Sequence, residues 1–146
     1  MKPVSKTCQV PAPPQLVYDT VTDYERYPEF FSEFREVTVL DREGDALIVD
    51  FSANYGKLVS YTLRIEHDPG ALTTRWSYVG GDLKDSQGGW RFSDDGSGQT
   101  HIDYEVSIRV GFFVPKMVSD RLIAQGVPAM FTQLKTEVAR RLEASR

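Results

Sequence analysis

The chain has 146 residues, of which 40% are hydrophobic and 26% charged, as expected for one ordinary globular domain. The formal net charge is −4, whereas domains that bind DNA or RNA usually carry a basic surface, so nucleic acid is not favoured as the main partner. Cys8 is the only cysteine, which excludes an internal disulfide and fits a reducing compartment. With no apolar run long enough for a secretory signal or a membrane span, we expect one domain over residues 1–146, located in the cytoplasm.

The first part of the chain predicts one strand and two short helices. Alternating residues indicate a strand over residues 3–10, which the prolines of residues 11–14 end. Leu16, Val17 and Val21 recur at helical spacing, so residues 14–22 predict a helix. Asp23 is a candidate N-cap for a second short helix.

The middle of the chain predicts only strands. Residues 35–41 form the first, and turn sequences such as Asp68-Pro69-Gly70 separate the later ones. Five further runs alternate apolar and polar residues, centred on residues 47–51, 59–65, 76–78, 90–92 and 102–110. Consecutive strands with short turns indicate an antiparallel meander, and its single apolar face must be covered on one side.

The last segment supplies the cover. Residues 115–125 predict one or two amphipathic turns, which residues 126–128 interrupt. A long C-terminal helix then presents an apolar stripe, while Lys135, Glu137, Arg140, Arg141 and Glu143 are predicted to face water. The stripe consists of Val127, Met130, Phe131, Leu134, Val138 and Leu142. The predicted fold class is α+β, with a curved antiparallel sheet of six or seven strands around this helix.

One helix cannot fill the concave face of such a sheet, so we expect a hydrophobic cavity between them. Several of the side chains that face it are bulky and carry a polar tip, and a buried phenol needs a hydrogen-bond partner, either a ligand or a water or strand residue. The predicted lining residues are Phe51, Tyr61, Leu63, Trp76, Tyr78, Trp90, Tyr104, Val106, Met117, Val127, Met130, Phe131 and Leu134.

Two segments resemble a known superfamily. The Asp-x-x-x-Tyr-Pro-x-Phe segment at residues 23–30, followed some sixty residues later by Gly-Gly-Trp at residues 88–90, is similar to START-like polyketide cyclase/dehydrase (SRPBCC) proteins. Within that superfamily it resembles the branch of coenzyme Q-binding proteins and the ribosome-association toxin. The resemblance implies the helix-grip (START/Bet v 1-like) fold and a cavity for lipids, quinones or aromatic polyketides. It does not fix an activity, because one fold hosts many functions.

The residues themselves show no strong catalytic constellation. His67 and His101 fall beside a turn and on an outward strand face, which favours a solvated surface role, and no cluster has metal-ligand spacing. Asp82, Lys84 and Asp85 are more typical of a mixed-charge loop than of a site at the cavity mouth. We therefore predict no catalytic residue, no metal and no cofactor, and we lean towards a protein that is not an enzyme.

The leading functional hypothesis is a carrier or chaperone of a hydrophobic small molecule, such as a lipid, isoprenoid quinone or aromatic polyketide. The alternatives left open are a polyketide aromatase/cyclase, which requires an inward acid or base, and a ribosome-associated regulator using Lys135, Arg140, Arg141 and Arg146. Peripheral contact with a membrane is a further open alternative, and the oligomeric state is unknown. Residues 112–115, with Met117, Val118 and Leu122, are hypothesised to form a mobile lip through which the ligand enters.

Overall fold

The computed structural model describes residues 3–111 and 114–145. Its elements follow the predicted order of strand, short helices, strands and long helix. They are β1 Val4–Val10, α1 Pro14–Val21, a 3₁₀ turn Tyr24–Arg26, α2 Tyr27–Phe30, β2 Phe34–Glu43, β3 Ala46–Asn54, β4 Leu58–Asp68, β5 Thr73–Gly81, β6 Leu83–Asp94, β7 Thr100–Val110, α3 Lys116–Arg121, a π-helical segment Leu122–Gly126, and α4 Val127–Ala144.

The seven strands form one antiparallel sheet in the order β1-β7-β6-β5-β4-β3-β2. Strands β2 to β7 are a meander, and β1 returns to pair with β7, from Val4 opposite Val106 to Val10 opposite Thr100. Residues with apolar side chains alternate into the core, as Val49, Phe51 and Ala53 do on β3. The predicted architecture, a curved antiparallel sheet around a long C-terminal helix with two short helices near the N-terminus, is confirmed.

The chain enters α4 without a break. Gly126 has helical backbone angles, and Pro128 lies in the first turn of α4, where proline is tolerated because a backbone N–H there has no partner within the helix. The predicted interruption at residues 126–128 is therefore wrong, and a π-helical turn joins α3 to α4 instead. The apolar stripe is buried as predicted at Val127, Met130, Phe131, Leu134 and Val138.

The prediction that Glu137 faces water is wrong, because the residue is only 7% exposed. Its carboxylate accepts two hydrogen bonds of 2.8 Å from Arg140 and a third of 2.8 Å from Arg141. These bonds hold the pKa of Glu137 down at about 2, chiefly through the hydrogen bonds from Arg140. Burial of this carboxylate is possible because both of its oxygens are paired.

Asp23 also has a role other than the predicted one. Its side chain makes no capping hydrogen bond to the 3₁₀ turn. Instead, its carboxylate accepts a hydrogen bond of 2.9 Å from Arg141, which lies 118 residues later in the chain. The Arg141 guanidinium also lies 5.4 Å from the centre of the Phe30 ring. Arg141 of α4 thus contacts Asp23, which follows α1, and Phe30 of α2.

The helices in the described part of the chain include none that combines the length and the apolar character needed to cross a membrane.

Candidate functional site

A cavity of about 100 Å³ lies between the concave face of the sheet, α2, the π-helical segment and the first turn of α4. It is smaller than the roughly 300–1,000 Å³ typical of pockets for drug-sized ligands. Its wall is mostly aromatic and aliphatic, with a few polar groups. The lining residues are Tyr24, Tyr27, Glu33, Phe34, Phe51, Tyr55, Val59, Tyr61, Leu63, Ile65, Thr74, Trp76, Leu83, Ser86, Trp90, Tyr104, Val106, Ile108, Val110, Val118, Ser119, Leu122, Gly126, Val127 and Met130.

Most of the lining residues that the sequence predicted lie on this wall, and their contact with a ligand stays a prediction. They come from β3, β4, β5, β6, β7 and the first turn of α4. They are Phe51, Tyr61, Leu63, Trp76, Trp90, Tyr104, Val106, Val127 and Met130.

Four predicted residues lie elsewhere. The Tyr78 hydroxyl accepts a hydrogen bond from the Leu83 N–H at 3.1 Å and donates one to its carbonyl at 2.7 Å, bridging β5 and β6. Met117 is 66% exposed on the outer side of α3. Phe131 packs edge-on against Trp90 and Tyr104, and Leu134 is fully buried one turn beyond Met130. Neither residue lines the cavity, because the cavity extends along only the first turn of α4.

The Tyr78 bridge replaces part of the sheet ladder. Strands β5 and β6 pair only from Thr73–Trp76 to Gly88–Arg91, so the remainder of each strand has no ladder with the other. Beside this gap, the Trp76 indole donates a hydrogen bond of 3.1 Å to the Ser86 hydroxyl. The predicted loop around Asp82 is also ordered, because its carboxylate accepts a hydrogen bond of 2.9 Å from the Ser60 N–H. Lys84 and Asp85 belong to β6.

Glu33 is the charged residue of the cavity wall. Its backbone carbonyl accepts a hydrogen bond of 2.7 Å from the Asn54 N–H, which fixes the α2–β2 connection to the end of β3. Its carboxyl group lies beside Gly126, where a β-carbon added to the glycine would be 3.6 Å from Glu33 Oε2. It makes no hydrogen bond or ion pair with the described residues, so burial alone raises its pKa, to about 7.

Three tyrosine hydroxyls share this end of the cavity. Burial is the main cause that raises the pKa of Tyr55 and of Tyr61, two phenols that interact with each other. Burial also raises the pKa of Tyr104, and the negative charge of Glu33 adds to the increase in all three. At neutral pH these phenols stay protonated. The wall thus presents a carboxyl group and neutral O–H groups in an apolar setting.

His67 is not the solvated surface residue that the sequence predicted. Its Nδ1 donates to the Asp45 carbonyl at 2.7 Å, because a carbonyl can only accept. The other ring nitrogen, Nε2, therefore accepts the hydrogen bond of 2.8 Å from the hydroxyl of Tyr24, a residue of the cavity wall. His67 holds Tyr24 in place from outside the cavity. His101, in contrast, contacts Gln9 and Asp103 near the surface.

The hypothesised lip is described only in part. Phe112 and Phe113 lie outside the described residues. Val118 and Leu122 line the cavity, whereas Met117 points away from it. Residues 3–111 and 114–145 contain no group of three or more His, Cys, Asp or Glu side chains that could hold a metal ion.

A family model matches residues 10–135 and is described as polyketide cyclase/dehydrase and lipid transport. The chain belongs to this family. The coenzyme Q-binding branch, which the sequence suggested within it, is not singled out by the match. Among curated proteins, no sequence matches the chain significantly.

Solved structures share the fold over nearly the whole chain. A protein from Thermus thermophilus is 24% identical, with a TM-score of 0.84, and the match covers 99% of this chain and 100% of that one. The Zhui aromatase/cyclase from a Streptomyces species is 19% identical, with a TM-score of 0.85 and coverage of 99% and 97%. A START superfamily protein from Mycobacterium smegmatis is 19% identical, with a TM-score of 0.82 and coverage of 94% and 97%. The helix-grip fold predicted from the sequence is thereby confirmed.

Several lining residues were missed by the sequence analysis, among them Tyr24, Tyr27 and Tyr55, and Glu33 is the charged one. It follows Phe30-Phe31-Ser32 and precedes Phe34 in a connection between a helix and a strand, where a glutamate is usually exposed. The only local signal is its position among aromatic residues. In the structure its partly buried carboxyl group lies beside Gly126, which is distant in sequence.

Proposed function

We propose that this protein binds a compact hydrophobic molecule in the cavity between the sheet and α4 and acts as its carrier. The observation that carries the proposal is the wall itself, which combines aromatic and aliphatic side chains with a few convergent polar groups, as ligand sites do. The family description, which includes both cyclases and lipid transport, supports the same class of ligand. Because the cavity is small, a ligand of one or two rings fits this state of the chain best.

Tryptophan fluorescence tests the proposal because Trp76 and Trp90 are the two tryptophans of the chain and both line the cavity. Titration with 1,4-naphthoquinone should quench their emission in a saturable manner. Replacing Val106 by Phe, which fills the cavity, should weaken the binding about tenfold or more. Val79→Phe is the matched control, because Val79 is 56% exposed on β5 and should leave binding unchanged. Equal, unsaturable quenching of all three proteins would refute the proposal.

The second candidate function is a polyketide aromatase/cyclase, and Glu33 is the specific observation that favours it. A cyclase needs a group inside the cavity that takes and returns a proton, and a carboxyl with a pKa of about 7 suits that task. The fold shared with the Zhui aromatase/cyclase supports this candidate at the level of architecture. Incubation with a short poly-β-ketone and mass spectrometry of the products tests it. Cyclisation by the native protein, lost in Glu33→Gln, is the expected result.

A further inference from the structure

We propose that Glu33 selects the ligand, so that its carboxylate accepts a hydrogen bond from a hydroxyl group carried by an otherwise apolar ring system. This inference deepens the proposed function and rests on it. The ligand class it assigns is a phenol or enol, in contrast to a hydrocarbon or an ether of the same shape.

The first support is the unpaired state of the Glu33 carboxyl group. Buried carboxylates in proteins are normally paired with a cation or with several N–H donors, as Glu137 is in this chain. Glu33 is only partly buried, but its carboxyl group has no such partner among residues 3–111 and 114–145 and lies on the wall of the cavity. A hydroxyl group of a bound ligand is the partner that this position lacks.

The second support is that the position of Glu33 is fixed by contacts on both sides. The Asn54 N–H holds its backbone carbonyl, and the preceding residue, Ser32, exchanges hydrogen bonds of 3.1 and 2.7 Å with Gln133 of α4. The side chain then lies beside Gly126, where an added β-carbon would be 3.6 Å from Glu33 Oε2. Single π-helical turns such as this one occur frequently at functional sites.

The third support is the chemistry of the groups that face Glu33. Tyr55, Tyr61 and Tyr104 lie on the same cavity wall, close enough to Glu33 for its negative charge to raise the pKa of each phenol. These phenols supply donors for a ligand oxygen, and Glu33 supplies an acceptor. Of the cations on adjacent elements, Arg35 is exposed on β2, and Arg121 of α3 extends towards Gly56, where a β-carbon would lie 3.1 Å from its Nη1.

The protonation state of the Glu33 carboxyl group determines which ligand binds more tightly. Below neutral pH the neutral carboxyl tolerates an apolar ligand with or without a hydroxyl group. Once the carboxyl ionises, a ligand without a donor leaves the charge unsolvated and binds more weakly, whereas a hydroxyl group forms a charge-assisted hydrogen bond with it. The preference for the hydroxylated ligand must therefore rise with pH.

The test compares 2-naphthol with 2-methoxynaphthalene, which has the same ring system but no donor. Their dissociation constants are measured by calorimetry at pH 5.5 and pH 8, where the naphthol itself remains protonated. For the native protein, the ratio favouring 2-naphthol should increase about tenfold between the two pH values, as expected for a hydrogen bond to a charged group. In the Glu33→Gln variant, the ratio of the two dissociation constants should be the same at pH 5.5 and at pH 8.

Glu36→Gln is the control, because Glu36 is exposed on β2 only three residues from Glu33 and should behave as the native protein does. If both ligands bind but the native ratio does not change with pH, or if Glu33→Gln keeps the change, the inference is wrong while the proposed function stands. If neither ligand binds, the proposed function fails and this inference fails with it.

Discussion

The ion pairs around Glu137 allow a quantitative prediction about acid stability. Replacing Glu137 by Gln removes a carboxylate whose pKa is lowered from 4.5 to about 2 by Arg140 and Arg141. This decrease corresponds to about 3 kcal/mol at pH 7, at about 1.4 kcal/mol per pKa unit. Because the Arg140 side chain is 56% exposed and its interaction is screened by solvent, we expect a loss of about 2 kcal/mol. That loss corresponds to a melting temperature roughly 6 °C lower.

The pH dependence has a definite sign. A carboxyl with a lowered pKa in the folded state stabilises the protein fully above its unfolded pKa of about 4.5, and loses that contribution as the pH falls towards 2. At pH 3, roughly two fifths of the contribution should remain. Urea denaturation of the native protein and Glu137→Gln at pH 7 and pH 3 measures the difference at both values.

The matched control is Glu29→Gln, because the Glu29 side chain is 61% exposed and pairs with Arg26 at the surface. Such pairs contribute less than about 1 kcal/mol, so this variant should unfold nearly as the native protein does. A Glu137→Gln loss no larger than that of Glu29→Gln, or a loss of equal size at pH 7 and pH 3, would refute the assigned role of Glu137.

Three further changes follow from burial and close contact. The raised pKa of Glu33 makes folding less favourable as the pH rises from 4.5 through about 7, by about 3 kcal/mol for the full shift and by about 2 kcal/mol once the partial exposure of the side chain is taken into account. Glu33→Gln should therefore stabilise the protein by about 2 kcal/mol at pH 8 and by little at pH 4, as urea denaturation at both pH values would show. Gly88→Ala should destabilise by about 1–3 kcal/mol and alter tryptophan emission, because the new β-carbon would lie 2.3 Å from Cζ2 of Trp76; unchanged melting and emission would contradict it. Leu134→Ala should cost about 2–5 kcal/mol in thermal unfolding, since Leu134 is fully buried, whereas Leu40→Ala, at a side chain that is 57% exposed, should cost less than about 0.5 kcal/mol.

The architecture was predictable because it depends on patterns that are local in sequence. The alternation of apolar and polar residues along 59–65 or 102–110 indicates a sheet with one buried face. The helical spacing of Val127, Met130 and Leu134 indicates a helix with one buried face. The start of β6 was missed because Gly88 and Gly89 weaken the strand signal. In the structure, these glycines allow the Trp76 ring and the Thr74 carbonyl to approach the backbone closely.

The polar part of the site could not be predicted in the same way. Asp23 pairs with Arg141, and the Glu33 carboxyl lies beside Gly126, so each contact joins residues about a hundred positions apart. No local pattern reports such a contact, and local preferences point to a helix cap and to a solvated glutamate instead. Tyr78 was assigned to the cavity by alternation alone, which does not reveal that its hydroxyl bridges a gap in the ladder.

The most direct test of ligand binding between the sheet and α4 is to locate a bound ligand by nuclear Overhauser effects. With 2-naphthol bound to methyl-labelled protein, we expect contacts from the naphthol protons to the methyl groups of Val106, Val127 and Met130, which line the cavity. Contacts to the exposed side chains of Leu40 or Val79, without contacts to those three residues, would place the ligand on the outer surface and contradict the account.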